Sequence, residues 1–223
     1  MIKLNLMQVT RALLILPAVV VWHAALAGLA PAKDDIIFLV DNSLVMQQID
    51  NEIALPGSIR AFVEQISRNV RVALILFDEN ATLEVPFVAV KGKQLGEFAQ
   101  GLAAVDYTDR FSNSAAALER GLHELQSDGR SGAGKSIILF TQGNIDTGNE
   151  ALDANFSKWM SEVLAEDAAQ ARIRIFCIAL SATGEITLLE ALARRTGGAF
   201  YQVKAADGMS AVLDNLAAVL FSR

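Results

Sequence analysis

Short apolar runs rich in β-branched residues alternate with segments whose apolar residues recur at helical spacing, and nothing else in the sequence constrains the fold as tightly. Ile36-Ile37-Phe38-Leu39-Val40 is continuously apolar, too short for a helix, and followed by polar Asp41-Asn42-Ser43, as a strand buried on both faces reads. Leu55, Ile59, Phe62, Val63 and Ile66 then mark one helix face near 56–67, with Pro56 tolerable only in a first turn. Val70 to Phe77 is a second strand and 82–88 a third. Pro86 cannot donate to a ladder and the connection 78–81 suits a hairpin, so the third strand belongs at an edge, antiparallel to the second. Ala117, Leu118, Gly121, Leu122 and Leu125 mark a helix that Ser112 could cap. Strand 137–140, a helix around 150–169, strand 173–179, helix 185–195, a Gly197-Gly198 stop, short strand 199–203 and a last helix from Asp207 to about Leu220 follow. Parallel strands need crossover connections, so this order specifies an α/β fold: a doubly wound, mostly parallel sheet with one antiparallel edge strand and helices on both faces.

The first residues follow a different pattern. Lys3 and Arg11 precede the uncharged stretch Ala12 to Ala32, and Ala25-Leu26-Ala27 has the A-x-A form of a cleavage site, so residues 1–27 read as a signal peptide. Left uncleaved, the stretch would be long enough to cross a bilayer, for which a helix needs about 20 apolar residues. The implied compartment is the periplasm or cell envelope of a bacterium, and residues 34–221 read as one domain. Removing the leader takes away two bases and no acid, so the exported part is more acidic than the net −6 of the whole chain. No basic cluster is long enough to track a phosphate backbone, which argues against nucleic acid as a partner. The one cysteine, Cys177, lies inside the apolar run 173–178 and reads as a small buried hydrophobe.

In a doubly wound sheet, ligands bind beyond the carboxyl ends of the strands. Three oxygen-rich loops belong there: Asp41 to Val45, Tyr107 to Ser112, and Thr141 to Asn144. The blocks 38–43, 71–77, 112–118, 138–143 and 196–201 resemble, in order and spacing, those of von Willebrand factor type A domains, and the resemblance covers roughly residues 34 to 221. It implies a Rossmann-like fold, protein recognition at the top of the sheet, and a metal-ion-dependent adhesion site whose ion commonly completes its coordination with a carboxylate of the partner. The match to that site is partial. Asp41 and Ser43 occupy the first two positions of the Asp-x-Ser-x-Ser motif, Val45 stands at the third, Ser112 takes the place of a threonine, and Gln142 replaces an aspartate. Magnesium wants near-octahedral oxygen coordination. Valine offers no oxygen and glutamine no charge, so Mg²⁺ binding at Asp41, Ser43, Ser112 and Gln142 is expected to be weakened or lost, unless Asp109 or Asp146 compensates. Recognition of a protein partner, in an envelope or membrane complex, would then rest on Asn42, Ser43, Asp109, Arg110 and Asn144.

Other motifs carry less. Gly129 to Ser136 matches the phosphate-binding pattern G-x-x-x-x-G-K-S, but it follows a helix and opens a strand, the reverse of the setting that aims a helix N-terminus at phosphates. It reads as a glycine-rich turn, with no nucleotide expected. His123, the only histidine after the leader, reads as a surface or packing residue, and neither an H-E-x-x-H nor a G-x-S-x-G motif is present. The chain is therefore expected not to be an enzyme. A hydrolase using the same cleft and a purely structural domain remain the alternatives. Asp34 and Asp35 read as a solvated charge run at the far end of the sheet, and Met46 as packing on it.

Overall fold

The computed structural model describes residues 32–221 except 51, 53, 67, 68, 182, 183 and 204–207; the predicted leader lies outside the described residues. Six strands form one sheet in the order β3-β2-β1-β4-β5-β6. They are β1 (Lys33–Asp41), β2 (Asn69–Phe77), β3 (Ala81–Ala89), β4 (Gly134–Thr141), β5 (Ile173–Ala179) and β6 (Phe200–Gln202). All neighbouring pairs are parallel except β2 with β3, the predicted antiparallel edge pair.

Helices cover both faces, and β1 shows why its sequence is continuously apolar. Ile36, Phe38 and Val40 point into a core shared with α2 (Ala54–Glu64), α3 (Lys93–Leu102) and α8 (Gly208–Leu220). Ile37 and Leu39 point the other way, into a core shared with α4 (Ser114–Ser127), α6 (Ala165–Gln170) and α7 (Ile186–Arg195). Phe38 anchors the first core, stacked at 6.4 Å on Phe140 and edge-on at 6.3 Å to Phe62. Cys177 is fully buried, and burial pushes its thiol well above the ordinary range.

Two short helices were not anticipated. The first, α1 (Leu44–Ile49), has six residues, too few to show a period. In α3 the face Leu95, Phe98, Leu102 is diluted by Gly96 and Gly101; a Cβ on Gly101 would collide with the Val85 side chain, so the glycine lets α3 lie against β3. The predicted helix 150–169 is α5 (Glu150–Trp159), a π-helical turn Met160–Leu164, and α6.

Two expectations are corrected. Ser112 does not cap α4: Asn113 does, its side chain accepting from the N–H of Ala116 at 3.1 Å, while the Ser112 hydroxyl is engaged elsewhere. Asp34 and Asp35 are not solvated. They lie within β1, and the fully buried Asp35 carboxylate is gripped by Arg71 and Arg130. Burial raises the pKa of Asp35, but the hydrogen bonds and charges of the two arginines outweigh it and hold the carboxyl below its ordinary value.

Topology also fixes where the two halves diverge. From β1 the chain crosses through α2 to β2 on one side; from β4 it crosses through α5 and α6 to β5 on the other. The crevice beyond the ends of β1 and β4 is the switch point.

Candidate functional site

Asp41 ends β1 at that crevice and is fully buried. One oxygen of its carboxylate accepts the N–H of Ser43 at 3.0 Å. The other accepts the Ser112 hydroxyl at 2.9 Å, the Thr141 hydroxyl at 3.3 Å and the Gln142 N–H at 3.4 Å. A single side chain thus joins the three loops marked by the sequence. Burial pushes its pKa up, the donors pull it back, and the balance stays above the ordinary value.

Backbone pairing fastens the same loops. Ser43 forms a parallel bridge with Asp109, and the Leu44 N–H donates to the Asp109 carbonyl at 2.5 Å. Ser112 and Asp146 exchange N–H···O bonds, both 2.8 Å. Asn42 is a clamp: its side-chain oxygen accepts the N–H groups of Asp106 and Tyr107, each at 3.0 Å, and its amide donates to the Asp106 carboxylate at 3.1 Å. Tyr107 is held at φ 55°, unusual for a non-glycine residue. Its buried ring reaches across to donate its hydroxyl to Asp50 at 2.8 Å, and Asp50 also accepts the N–H groups of Ala54 and Leu55 at the start of α2.

The predicted residues therefore meet, but not in equal roles. Asp41, Ser43 and Ser112 converge. Gln142 is beside them through its backbone, while its side-chain amide donates to the Asn144 carbonyl at 2.9 Å. Loop 142–144 is pressed onto the loop before α7: a Cβ on Gly143, whose φ is 115°, would stand 2.9 Å from Gly184 Cα. Of the proposed partner contacts, Asp109 and Arg110 are exposed and Asn144 half-buried, but Ser43 is fully buried, and Asn42 is buried with its side chain spent on the 106–107 loop.

Sequence reasoning placed Thr141 in a candidate loop without giving it a role, and missed Asp106, Asp78 and the outer face of α1. Asp78 follows β2 directly, so the strand-end rule alone could have found it. Its charge, with burial and then Asp106 adding to it, raises the pKa of exposed Asp109. On α1, Met46 is buried on the sheet as expected, whereas Leu44, Val45 and Ile49 are exposed.

The fit of a divalent cation can be judged from these donors. One observation favours an ion: the buried Ser43 hydroxyl makes no well-formed hydrogen bond, although the Asp41 carboxylate is near enough to feel it. The rest count against a tightly held one. Val45 supplies no oxygen, Gln142 supplies no charge, and both Asp41 oxygens already accept protein donors in a setting that penalises the charge. Among the described residues no group of three His, Cys, Asp or Glu side chains is placed to hold a metal. The residues present do not fit a resident Mg²⁺.

A family model described as von Willebrand factor type A domain matches residues 35–215. Among curated proteins, none matches the chain. Solved structures with the same fold include a von Willebrand factor type A protein from Catenulispora acidiphila, with TM-score 0.71 and 12% identity over 85% of this chain and 43% of that one. The mussel byssus proximal thread matrix protein 1, solved with a zinc-occupied adhesion motif, matches with TM-score 0.66 and 15% identity, over 85% of this chain and 48% of its own. The corresponding domain of the type V pili tip protein Mfa5 from Porphyromonas gingivalis matches with TM-score 0.62 and 14% identity, over 84% and 95%. The chain thus spans less than half the length of the first two, and identities this low show the fold alone.

Proposed function

We propose, from the premise that this chain belongs to the von Willebrand factor type A domain family, that it is a protein-recognition module of the bacterial envelope, working through the loops at the carboxyl end of its sheet without a resident metal. The observation that carries the reading is the exposed apolar pair Leu44 and Val45 beside the bonded Asp41, Ser43 and Ser112, where a family adhesion site would turn a hydroxyl toward its ion. Exposed aliphatic side chains on a rigid, self-bonded rim suit a protein contact. The leader-like residues 1–27 and the likeness to a pilus-tip domain support an exported location.

A hydrolase at the same place is the weaker reading. His123 stands exposed on α4, eleven residues beyond Ser112 and so about 16 Å along the helix, too far to act as a base there.

Photocrosslinking tests the location. A crosslinking amino acid at position 45 should capture a discrete protein from the envelope fraction, in EDTA as well as in Mg²⁺, whereas one at Ser131, exposed at the opposite end of the sheet, should not. Equal capture at both positions, or capture only with Mg²⁺, would overturn the reading.

A further inference from the structure

Resting on that reading, the charge around Leu44 and Val45 says what kind of partner segment fits. Loops at this end of the sheet carry Asp78, Glu79, Asp106, Asp109, Asp146 and Glu185, against a single described base, Arg110, whose guanidinium lies over the Phe111 ring at 5.4 Å. The opposite end holds Lys33, Arg71, Arg130 and Lys135. The recognition edge is therefore strongly acidic on a chain whose net charge is only −6.

The acids are not equivalent. Asp106 accepts from Thr108 and Asn42, and Asp146 accepts the N–H of Gly148 at 2.9 Å. Asp78, at the end of β2, accepts the Asn113 N–H through its carbonyl at 2.6 Å and so stands beside the 109–113 segment that carries Asp109. Asp109 is also the residue bridged to Ser43, so this carboxylate pair borders the exposed apolar face of α1, on which Val45 and Ile49 lie one turn apart.

We propose that the rim docks a partner segment presenting a lysine or arginine beside an aliphatic residue, the cation meeting the Asp78–Asp109 carboxylates and the aliphatic group covering Leu44, Val45 and Ile49. This inverts the polarity of a metal-loaded adhesion site: there a bound dication calls for the partner's carboxylate, whereas here the chain's own carboxylates call for the partner's cation. A carboxylate-bearing partner would meet like charge with no ion to bridge it, which disfavours it. A cation at the rim relieves the repulsion between Asp78 and Asp109, and because the pair is partly solvated, its effect should fall with salt.

The test uses the purified protein and two fluorescent peptides, one carrying Leu-Arg-Leu-Lys-Leu between glycines and the other Leu-Glu-Leu-Asp-Leu, followed by anisotropy in EDTA. The basic peptide should bind saturably, weaken on raising NaCl from about 0.05 to 0.3 M, and weaken about 5- to 10-fold in the double variant Asp78→Asn with Asp109→Asn. Asparagine keeps the acceptor that Asp78 offers the Asn80 N–H at 2.8 Å, so the loop retains its bond, and Asp109→Asn alone serves as a milder variant. The acidic peptide should not bind, with or without 5 mM Mg²⁺. Failure of the basic peptide to bind, indifference to both variants, or Mg²⁺-dependent binding of the acidic peptide would overturn the proposal. Capture at position 45 that persisted alongside any of these results would leave the interface reading standing and remove only the assignment of charge.

Discussion

Replacing Asp35 by asparagine should cost far more than its place at the end of the sheet opposite the candidate site suggests. The carboxylate accepts Arg71 Nε at 3.0 Å, Arg71 Nη2 at 2.8 Å, the Arg130 N–H at 2.6 Å and Arg130 Nε at 2.8 Å. Through these it ties the start of β1 to β2 and to the turn before β4; Arg130 continues to the Asp34 carbonyl and Asn69, and Arg71 to the Asp128 carbonyl. An asparagine turns one acceptor oxygen into an NH₂ group facing two donors and removes the charge between two guanidinium groups. Breaking a fully buried pair costs about 3–5 kcal/mol. The carboxylate is fully buried, but the arginine side chains are 24% and 23% exposed and can recover some hydration. The expected loss is therefore about 2–4 kcal/mol, or about 4–16 °C in Tm for a domain of this size. Urea unfolding followed by far-UV circular dichroism would measure it. A loss below about 1 kcal/mol would show that the arginines simply turn to water and that the staple stabilises nothing.

The same staple sets an acid response. Because the folded pKa of Asp35 is lowered, its contribution is complete above the unfolded carboxyl value near 3.9 and disappears as pH falls through the lower folded value. The gap between wild type and Asp35→Asn should narrow between pH 7 and pH 3, and a constant gap would contradict the assignment. Gly198→Ala would drive a Cβ into the Ile175 carbonyl and should cost about 3 kcal/mol or more, whereas Gly57→Ala, with nothing near its Cβ and an ordinary helical position, should gain about 0.4–1 kcal/mol in the same urea assay. Calorimetry with Mg²⁺ should show no saturable binding tighter than about 0.1 mM, and restoring the donors with Val45→Ser and Gln142→Asp should tighten it at least about tenfold; low-micromolar binding by the unaltered chain would show that the Ser43 hydroxyl and water complete the site.

The strands were legible because a strand buried on both faces has a nearly context-free signature: 36–40, 137–140 and 173–179 each fall inside an observed strand, and the edge position of β3 followed from Pro86. Short elements were not, since α1 offers fewer than two turns and α3 spends two of its positions on glycine. Charges at the sheet end were misread for a different reason. Asp35 is buried only because Arg71 and Arg130, 36 and 95 residues away in sequence, arrive beside it, and local pattern holds no trace of partners so distant. Tertiary contacts also account for the setting of the G-x-x-x-x-G-K-S stretch. Lys135 donates to the Leu125 carbonyl at 2.5 Å and Arg130 is spent on Asp35, so the glycine-rich stretch is a turn stapled to β1. At the candidate site the sequence marked the three loops and the loss of donors at Val45 and Gln142, but Ser112 served two hypotheses equally well, as cap or as site residue. The Asn113 cap decides between them by leaving the hydroxyl to Asp41.

How the rim keeps its shape bears on why two ligand positions can change their chemistry. If an ion held the loops together, losing its donors would let them drift apart. Here three polar residues of one short stretch do that work: Asp41 binds the loops after β1 and β4 and the segment before α4, Asn42 binds the 106–107 backbone, and Asp50 joins Tyr107 to the first turn of α2. Each accepts backbone N–H groups that would otherwise be left without partners, so the framework is satisfied by the protein itself. Positions 45 and 142 are then free of any structural duty toward a metal. Valine can face solvent there without unsettling the loops, which these acceptors hold by themselves.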